Sequence, residues 1–209
     1  MPPSNSAAAD FPQLARYRAA NASLRSTGQR VRVVFLGDSI TDYWGHRAGK
    51  WFAHSGWINR GIGGQTTAQL LLREQKDALE LQPQAVVLES GGNDMRLGFV
   101  PAEIRDRIKT MGELAELHHV KVFVTAMTPV CDCFRQLTGL RTPERITELN
   151  VLLRDLCAEE HWTFINAADV LKDSKGLMRK DLTWDGVHPN DAGYALMKPV
   201  YEAALARYR

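Results

Sequence analysis

The sequence predicts an α/β fold, a mostly parallel sheet with helices packed on both faces. Short apolar runs such as Val31 to Leu36 and Ala85 to Leu88 alternate with longer segments whose apolar residues recur at helical spacing. The short runs are nearly continuous in apolar character, as strands are when both of their faces are buried. Polar, glycine-rich segments follow several of them, where sheets of this kind place their ligands.

The elements follow in order. Phe11 to Leu24 carries Phe11, Leu14, Tyr17 and Leu24 on a loose helical stripe, and Val31 to Leu36 is a buried strand ended by Gly37. Trp57 to Arg60 is a weaker strand, and Thr66 to Leu81 a helix with Leu70, Leu71, Leu79 and Leu81. Ala85 to Leu88 is a second clear strand, entered through Pro83. Pro101 to Leu117 is a helix with proline at its start, where the missing N–H costs nothing. Lys121 to Thr125 is a third clear strand. Thr142 to Glu159 opens Thr-Pro-Glu and continues through Ile146, Leu149, Leu153 and Leu156 as a helix. Thr163 to Ile165 is a short strand, and Asn190 to Tyr208 the closing helix. No repeat or linker interrupts this order, so residues 11–209 are expected to form one domain after a disordered stretch over residues 1–10.

A chain of 209 residues buries roughly 70% of its unfolded surface and needs no covalent staples. Its 44% apolar and 24% charged residues are ordinary for a globular protein. The net charge of +2, with both signs interspersed, gives no basic field that would argue for nucleic acid. No apolar run approaches the ~18 residues of a membrane span. The first ten residues carry neither the charged nor the apolar region of a signal peptide, so the chain as given reads as cytoplasmic, and as periplasmic or secreted if a leader has been removed. Cys131 and Cys133 are too close in sequence for an easy bridge, and Cys157 falls on a helical pattern, so free structural thiols are expected. No histidine or second cysteine pair stands at zinc spacing; no metal and no cofactor are expected.

Four polar segments fall where the sheet should carry its chemistry: Gly37-Asp38-Ser39-Ile40-Thr41-Asp42, Gly61-Ile62-Gly63-Gly64-Gln65-Thr66, Glu89-Ser90-Gly91-Gly92-Asn93-Asp94 and Trp184-Asp185-Gly186-Val187-His188-Pro189. Each has an ordinary structural reading. Gly-Asp-Ser after a strand can be a turn with a helix cap. The glycine run could cradle a phosphate but lacks the features of a P-loop or a dinucleotide fingerprint. Gly-Gly-Asn-Asp can be a plain turn, and Asp185 and His188, three apart, can be a surface feature.

Together the segments are more specific. Gly37-Asp38-Ser39-Ile40, Gly63-Gly64, Gly92-Asn93-Asp94 and Asp185-Gly186-Val187-His188-Pro189 resemble, in order and separation, the four sequence blocks of the GDSL/SGNH hydrolases. The resemblance spans Val31 to Tyr194. The run from Asn59 to Thr67 looks like the branch containing the platelet-activating-factor acetylhydrolase catalytic subunits and related bacterial acyl esterases. It implies a three-layer α/β/α sandwich with a flavodoxin-like sheet. It also implies a small-molecule acyl ester as substrate and either a monomer or a homodimer.

Residue chemistry agrees with that resemblance. Ser39 would attack an acyl carbonyl, His188 would take its proton and return it to the leaving alcohol, and Asp185 would hold the imidazole tautomer. By resemblance the oxyanion donors are the backbone N–H groups of Ser39 and Gly64 and the Asn93 amide. Gly64 is chosen over Gly63 because Gln65-Thr66-Thr67 follows it. The Ser39 loop is no Gly-x-Ser-x-Gly elbow, since Thr41 occupies the +2 position. Asp38 and Asp94 read as turn-forming braces and Asp42 as a cap for the helix after Ser39. Trp184, beside Asp185, leads Trp44, Trp51 and Trp57 as a candidate for contacting substrate, with core packing as the ordinary alternative. Glu89 departs from the small or apolar residues of many relatives. With Trp184 it is a candidate for contacting substrate, and it is expected at the site either as a buried carboxylate of raised pKa or paired with Arg60 or Arg96. The segment from Val130 to Arg141 reads as a loop that sets substrate preference.

The absence of a long apolar lid favours short, acetyl-like acyl groups. Carbohydrate O-acetyl groups, lysophospholipids and thioesters are alternatives within the same chemistry. Outside it stand a metal-dependent phosphoesterase built on Asp38, Asp42, Asp185 and His188, and an inactive scaffold.

Overall fold

The computed structural model describes residues 10–209. The expectation of disorder over residues 1–9 lies outside the described residues; Asp10 accepts the N–H groups of Leu14 and Ala15.

Among the described residues, five strands form one sheet: β1 (Val33–Gly37), β2 (Trp57–Gly61), β3 (Ala85–Glu89), β4 (Lys121–Thr125) and β5 (Thr163–Ile165). All pair in parallel, in the order β2-β1-β3-β4-β5. This is the doubly wound, flavodoxin-like order, in which the direction of winding reverses between the parallel strands β1 and β3 and so opens a crevice at their carboxyl ends. The register pairs Gly37 with Glu89 across that point. The main helices are α1 (Arg18–Thr27), α3 (Thr67–Asp77), α5 (Pro101–Leu117), α6 (Pro143–Glu159) and α7 (Asp191–Ala204). Two one-turn helices, α2 (Ser39–Tyr43) and α4 (Gly92–Arg96), begin at the switch point.

The alternation of side chains along each strand divides the core into two layers. Val34, Leu36, Val86, Leu88, Val122 and Val124 pack against Leu70 of α3, Ile104 and Ile108 of α5, and Leu149 and Leu153 of α6. Val33, Phe35, Val87, Phe123 and Ile165 face the other way, onto Trp44, Phe52 and Trp57 and onto Tyr194, Met197 and Tyr201 of α7. A strand buried on both faces cannot alternate polar with apolar residues, which is why these read as apolar runs.

Most expected elements stand within a residue or two of their places; the exceptions have local causes. The first helix starts at Arg18 rather than Phe11, because the Asp10 carboxylate ties the preceding segment into turns and Gln13 adopts a positive φ. It ends at Gly28, whose left-handed conformation suits glycine. The helix expected to reach Leu81 stops at Asp77, and a separate 3₁₀ turn covers Leu79–Leu81. The closing helix ends at Ala204, followed by a 3₁₀ turn over Ala206–Tyr208. Thr142 and Asn190 are N-caps, each accepting a backbone N–H of the first turn.

The expectation of three free thiols is overturned. Cys131 and Cys133 form a disulfide and only Cys157 is free, buried in the first core layer. The Cα atoms of the bridged pair stand 5.2 Å apart, inside the span a disulfide bridges, because the chain turns between them and does not run extended.

Candidate active site

Ser39 is the first residue of α2, directly after β1. The Asp38 carboxylate caps the helix by accepting the Ile40 N–H at 3.0 Å. Asp42, expected as that cap, instead accepts the Gly63 N–H at 3.0 Å. Gly37 has no room for a side chain, since a Cβ there would collide with Thr41 and the Glu89 carboxylate. The strand therefore turns sharply into α2 with Ser39 at the crevice.

His188 Nε2 stands 2.9 Å from Ser39 Oγ, and His188 Nδ1 2.7 Å from Asp185 Oδ2. A carboxylate at Nδ1 keeps the proton there and leaves Nε2 to accept. The other oxygen, Asp185 Oδ1, accepts the N–H groups of Val187 and His188, each at 2.9 Å. Burial works to raise the Asp185 pKa, but these backbone bonds and the imidazole outweigh it and hold the carboxyl below its ordinary value. Thr183 Oγ1 accepts the Gly186 N–H and donates to the His188 carbonyl, which closes the turn. The Gly186 carbonyl accepts the Cys131 N–H, and a Cβ on Gly186 would strike the Cys131 backbone, so the disulfide segment braces the turn closely.

The other two blocks face Ser39. Gly64 borders the cavity at φ +84°, and a Cβ there would meet nothing. Its glycine is thus required by backbone conformation and not by crowding. The Gly63 N–H is engaged by Asp42, which leaves Gly64 as the residue of the pair whose N–H is available, as the Gln65-Thr66-Thr67 context suggests. Asn93 Nδ2 donates to the Gln65 carbonyl at 2.9 Å and to Asp38 Oδ2 at 3.2 Å. Asp94, fully buried, accepts from Thr67 N and Thr67 Oγ1 and ties the Asn93 turn to the start of α3.

Glu89 is buried, with 7% of its surface exposed, and reaches the cavity floor. Of the two sequence readings, the buried carboxylate is found and the ion pair is not. Its Oε2 accepts from Asp38 N at 3.2 Å and Thr41 Oγ1 at 3.0 Å, whereas Arg60 binds Asn21 and the Asn59 carbonyl. Burial, then the neighbouring Asp38 charge, pushes the Glu89 pKa well up; burial raises Asp38 to about 6. Trp184 is not part of the cavity wall. It packs behind the site, its ring centroid 5.9 Å from that of His188 and 6.0 Å from that of Tyr43. Trp44 and Trp57 belong to the second core layer, with Trp51 packed against it.

Sequence reasoning missed three contributors. Arg73 is fully buried beneath the crevice, where it donates to the Gly37 carbonyl at 2.9 Å and to Gln65 Oε1 at 2.6 Å and pairs with Asp77. An arginine on the apolar side of α3 followed by Asp four residues later was the available signal. Tyr43 packs on the His188 ring at 4.9 Å between centroids. Arg141 lines the cavity from the loop before α6.

The cavity, about 510 Å³, extends from Ser39, Asn93 and His188 to Met127 and the Arg135–Leu137 segment. Among the described residues, no group of three or more His, Cys, Asp and Glu side chains is placed to hold a metal ion. Also among them, no helix is long and apolar enough to cross a membrane.

Comparison with known proteins agrees with this geometry. Residues 35–196 match the model of the GDSL-like Lipase/Acylhydrolase family. A GDSL-like lipase from Bacteroides thetaiotaomicron superposes with a TM-score of 0.85 at 30% identity, over 94% of this chain and 98% of its own. A protein of Streptococcus pneumonia named for platelet activating factor superposes with a TM-score of 0.76 over 97% of this chain and 100% of its own; at 21% identity the likeness speaks for the fold. Esterase TesA of Pseudomonas aeruginosa is 26% identical over 132 residues, which span 63% of this chain and 60% of that relative. A serine triad and an oxyanion hole are typical of this group, and the chain belongs to the GDSL-like lipase/acylhydrolase family.

Proposed function

We propose that this protein is a serine esterase that hydrolyses short-chain acyl esters, acetyl esters foremost, through an acyl-enzyme. The observation that carries the reading is the unbroken chain from Ser39 Oγ through the His188 ring to Asp185, with contacts of 2.9 and 2.7 Å. A serine hydroxyl is a weak nucleophile until a base removes its proton. His188 Nε2 takes that proton as Ser39 Oγ bonds to the acyl carbon, and Asp185 stabilises the imidazolium formed. The imidazolium then returns the proton to the leaving alcohol. Water repeats the sequence on the acyl-enzyme and releases the acid.

The negative charge on the carbonyl oxygen is received by the N–H groups of Ser39 and Gly64 and by Asn93 Nδ2. The Asn93 amide already spends both protons. The longer contact, to Asp38 Oδ2 at 3.2 Å, is the one given up when the oxyanion forms. The shorter, to the Gln65 carbonyl, keeps the side chain aimed.

Short acyl groups are favoured because polar and charged side chains, Asn93, Arg96, Arg135 and Gln136, share the cavity wall with the apolar Met127, Val130 and Leu137. The same wall suits a carbohydrate O-acetyl ester better than a lysophospholipid or a long acyl thioester. Hydrolysis of p-nitrophenyl acetate, butyrate and octanoate, with and without chelator, tests the assignment. The expected result is turnover that falls with chain length and ignores chelator. Turnover that rises with chain length would overturn the short-chain assignment, and turnover lost with chelator the serine mechanism.

A further inference from the structure

Three arginines border the cavity that contains Ser39, and none has a side-chain partner among the described residues. Arg141 is only 7% exposed, yet among the described residues its guanidinium makes no hydrogen bond and its buried Nε has no acceptor. Arg96 and Arg135 are exposed at the rim of the same cavity and likewise form no ion pair or side-chain hydrogen bond among the described residues. The other buried arginines behave differently. Arg73 binds Asp77, Gln65 and a backbone carbonyl, and Arg60 binds Asn21 and a backbone carbonyl.

A buried cation without a counter-charge is costly, and like-charged neighbours add to the cost. Burial, then the charge of Arg96, lowers the Arg141 pKa, with Arg135 adding to this and the nearby Asp38 and Asp185 carboxylates opposing it without bonding to the guanidinium, in keeping with the three guanidinium groups sharing one region. A cost of this kind at the wall of a site is offset when the ligand brings the missing charge. The planar guanidinium fork matches carboxylate and phosphate oxygens.

We propose that the ester turned over at Ser39 carries an anionic group, a carboxylate or a phosphate, which Arg141 receives in the cavity with Arg96 and Arg135 closing over it from the rim. Arg141 and its neighbours are specificity determinants. They touch the non-reacting part of the substrate and use its binding to hold the acyl carbon at Ser39. The inference rests on the esterase reading above and narrows its substrate class.

The test compares matched esters. With the anion on the alcohol, 4-acetoxybenzoate and 4-acetoxyphenyl phosphate are set against neutral methyl 4-acetoxybenzoate, which also separates carboxylate from phosphate. With the anion on the acyl group, 4-nitrophenyl hydrogen glutarate is set against 4-nitrophenyl butyrate. Each rate is normalised to the ester's own hydroxide-catalysed hydrolysis. The expected result is a kcat/KM at least about tenfold higher for the anionic member of one pair, in keeping with a charge-assisted hydrogen bond. Arg141→Gln should erase that preference mainly through KM, and salt should weaken it. If Arg141→Gln fails to fold, the exposed pair Arg96→Gln/Arg135→Gln decides by the same criterion. Anionic and neutral esters that react alike in both pairs, or arginine variants that lower both equally, would overturn the proposal and leave the esterase standing. Failure to hydrolyse any of these esters would overturn the esterase reading itself.

Discussion

His188 Nε2 meets Ser39 Oγ at 2.9 Å although 149 positions separate them in the chain, while the carboxylate that orients His188 lies only three positions before it. Ser39 belongs to the turn after β1, and His188 and Asp185 form one compact unit on a separate turn. Asp185→Asn keeps the shape of that turn but removes the charge and favours the wrong imidazole tautomer. It should lower kcat by roughly 10³–10⁴-fold with little change in KM. Steady-state kinetics on p-nitrophenyl acetate check this, and a loss under tenfold would separate Asp185 from the chemistry.

Asn93 divides its amide between the Gln65 carbonyl and Asp38. Removing it in Asn93→Ala should cost about 100–1000-fold in kcat, the usual penalty for one oxyanion donor. KM should move far less, since the donor acts on charge that exists only in the transition state. An equal rise in KM would instead make Asn93 a ground-state binding residue.

Glu74 of α3 is fully buried, and neither carboxylate oxygen has a hydrogen-bond partner among the described residues. Burial pushes its pKa up to about 9. A carboxyl whose folded pKa lies above its unfolded value of 4.5 takes up a proton on folding. Its contribution is most favourable below pH 4.5 and is lost as pH rises toward 9. Glu74→Gln should therefore raise stability at pH 8 by about 2–4 kcal/mol and match the parent near pH 4. Denaturant unfolding at the two pH values measures this; a stability gap independent of pH would contradict it.

The Cys131–Cys133 bridge predicts a definite thiol count. Alkylation of the denatured protein without reductant should modify Cys157 alone, and after reduction all three cysteines. The bridge closes a very short loop, so Cys131→Ser/Cys133→Ser should cost only about 1–2 kcal/mol. Three modified thiols in the unreduced protein would remove the bridge from the account.

Gly112 of α5 faces the Trp162 ring so closely that a Cβ would overlap it. Gly112→Ala improves helix propensity yet should destabilise by about 1–3 kcal/mol through overpacking. A raised melting temperature would show that Trp162 can move aside.

The strands and long helices were legible because their signal is local: an apolar run, a helical stripe, a proline at a first turn. The boundary at Arg18 was not, because it depends on Asp10 folding back on Leu14 and Ala15. Ser39, Gly64, Asn93, Asp185 and His188 were legible as motifs at strand ends, and the structure brings all five to one crevice. Trp184 read as a wall residue because it adjoins Asp185, but its ring turns behind His188. The Cys131–Cys133 bridge and the buried side chains of Arg73 and Arg141 depend on chain reversals and burial that no window of sequence reports.

The nucleophilic role proposed for Ser39 is open to a direct experiment. Treating the protein with a fluorophosphonate while following ester hydrolysis, then mapping the adduct by mass spectrometry, tests it directly. One phosphonyl group per chain is expected, on Ser39, appearing in step with the loss of activity and much more slowly in His188→Ala. Loss of activity with Ser39 unmodified, or full activity in Ser39→Ala, would contradict it.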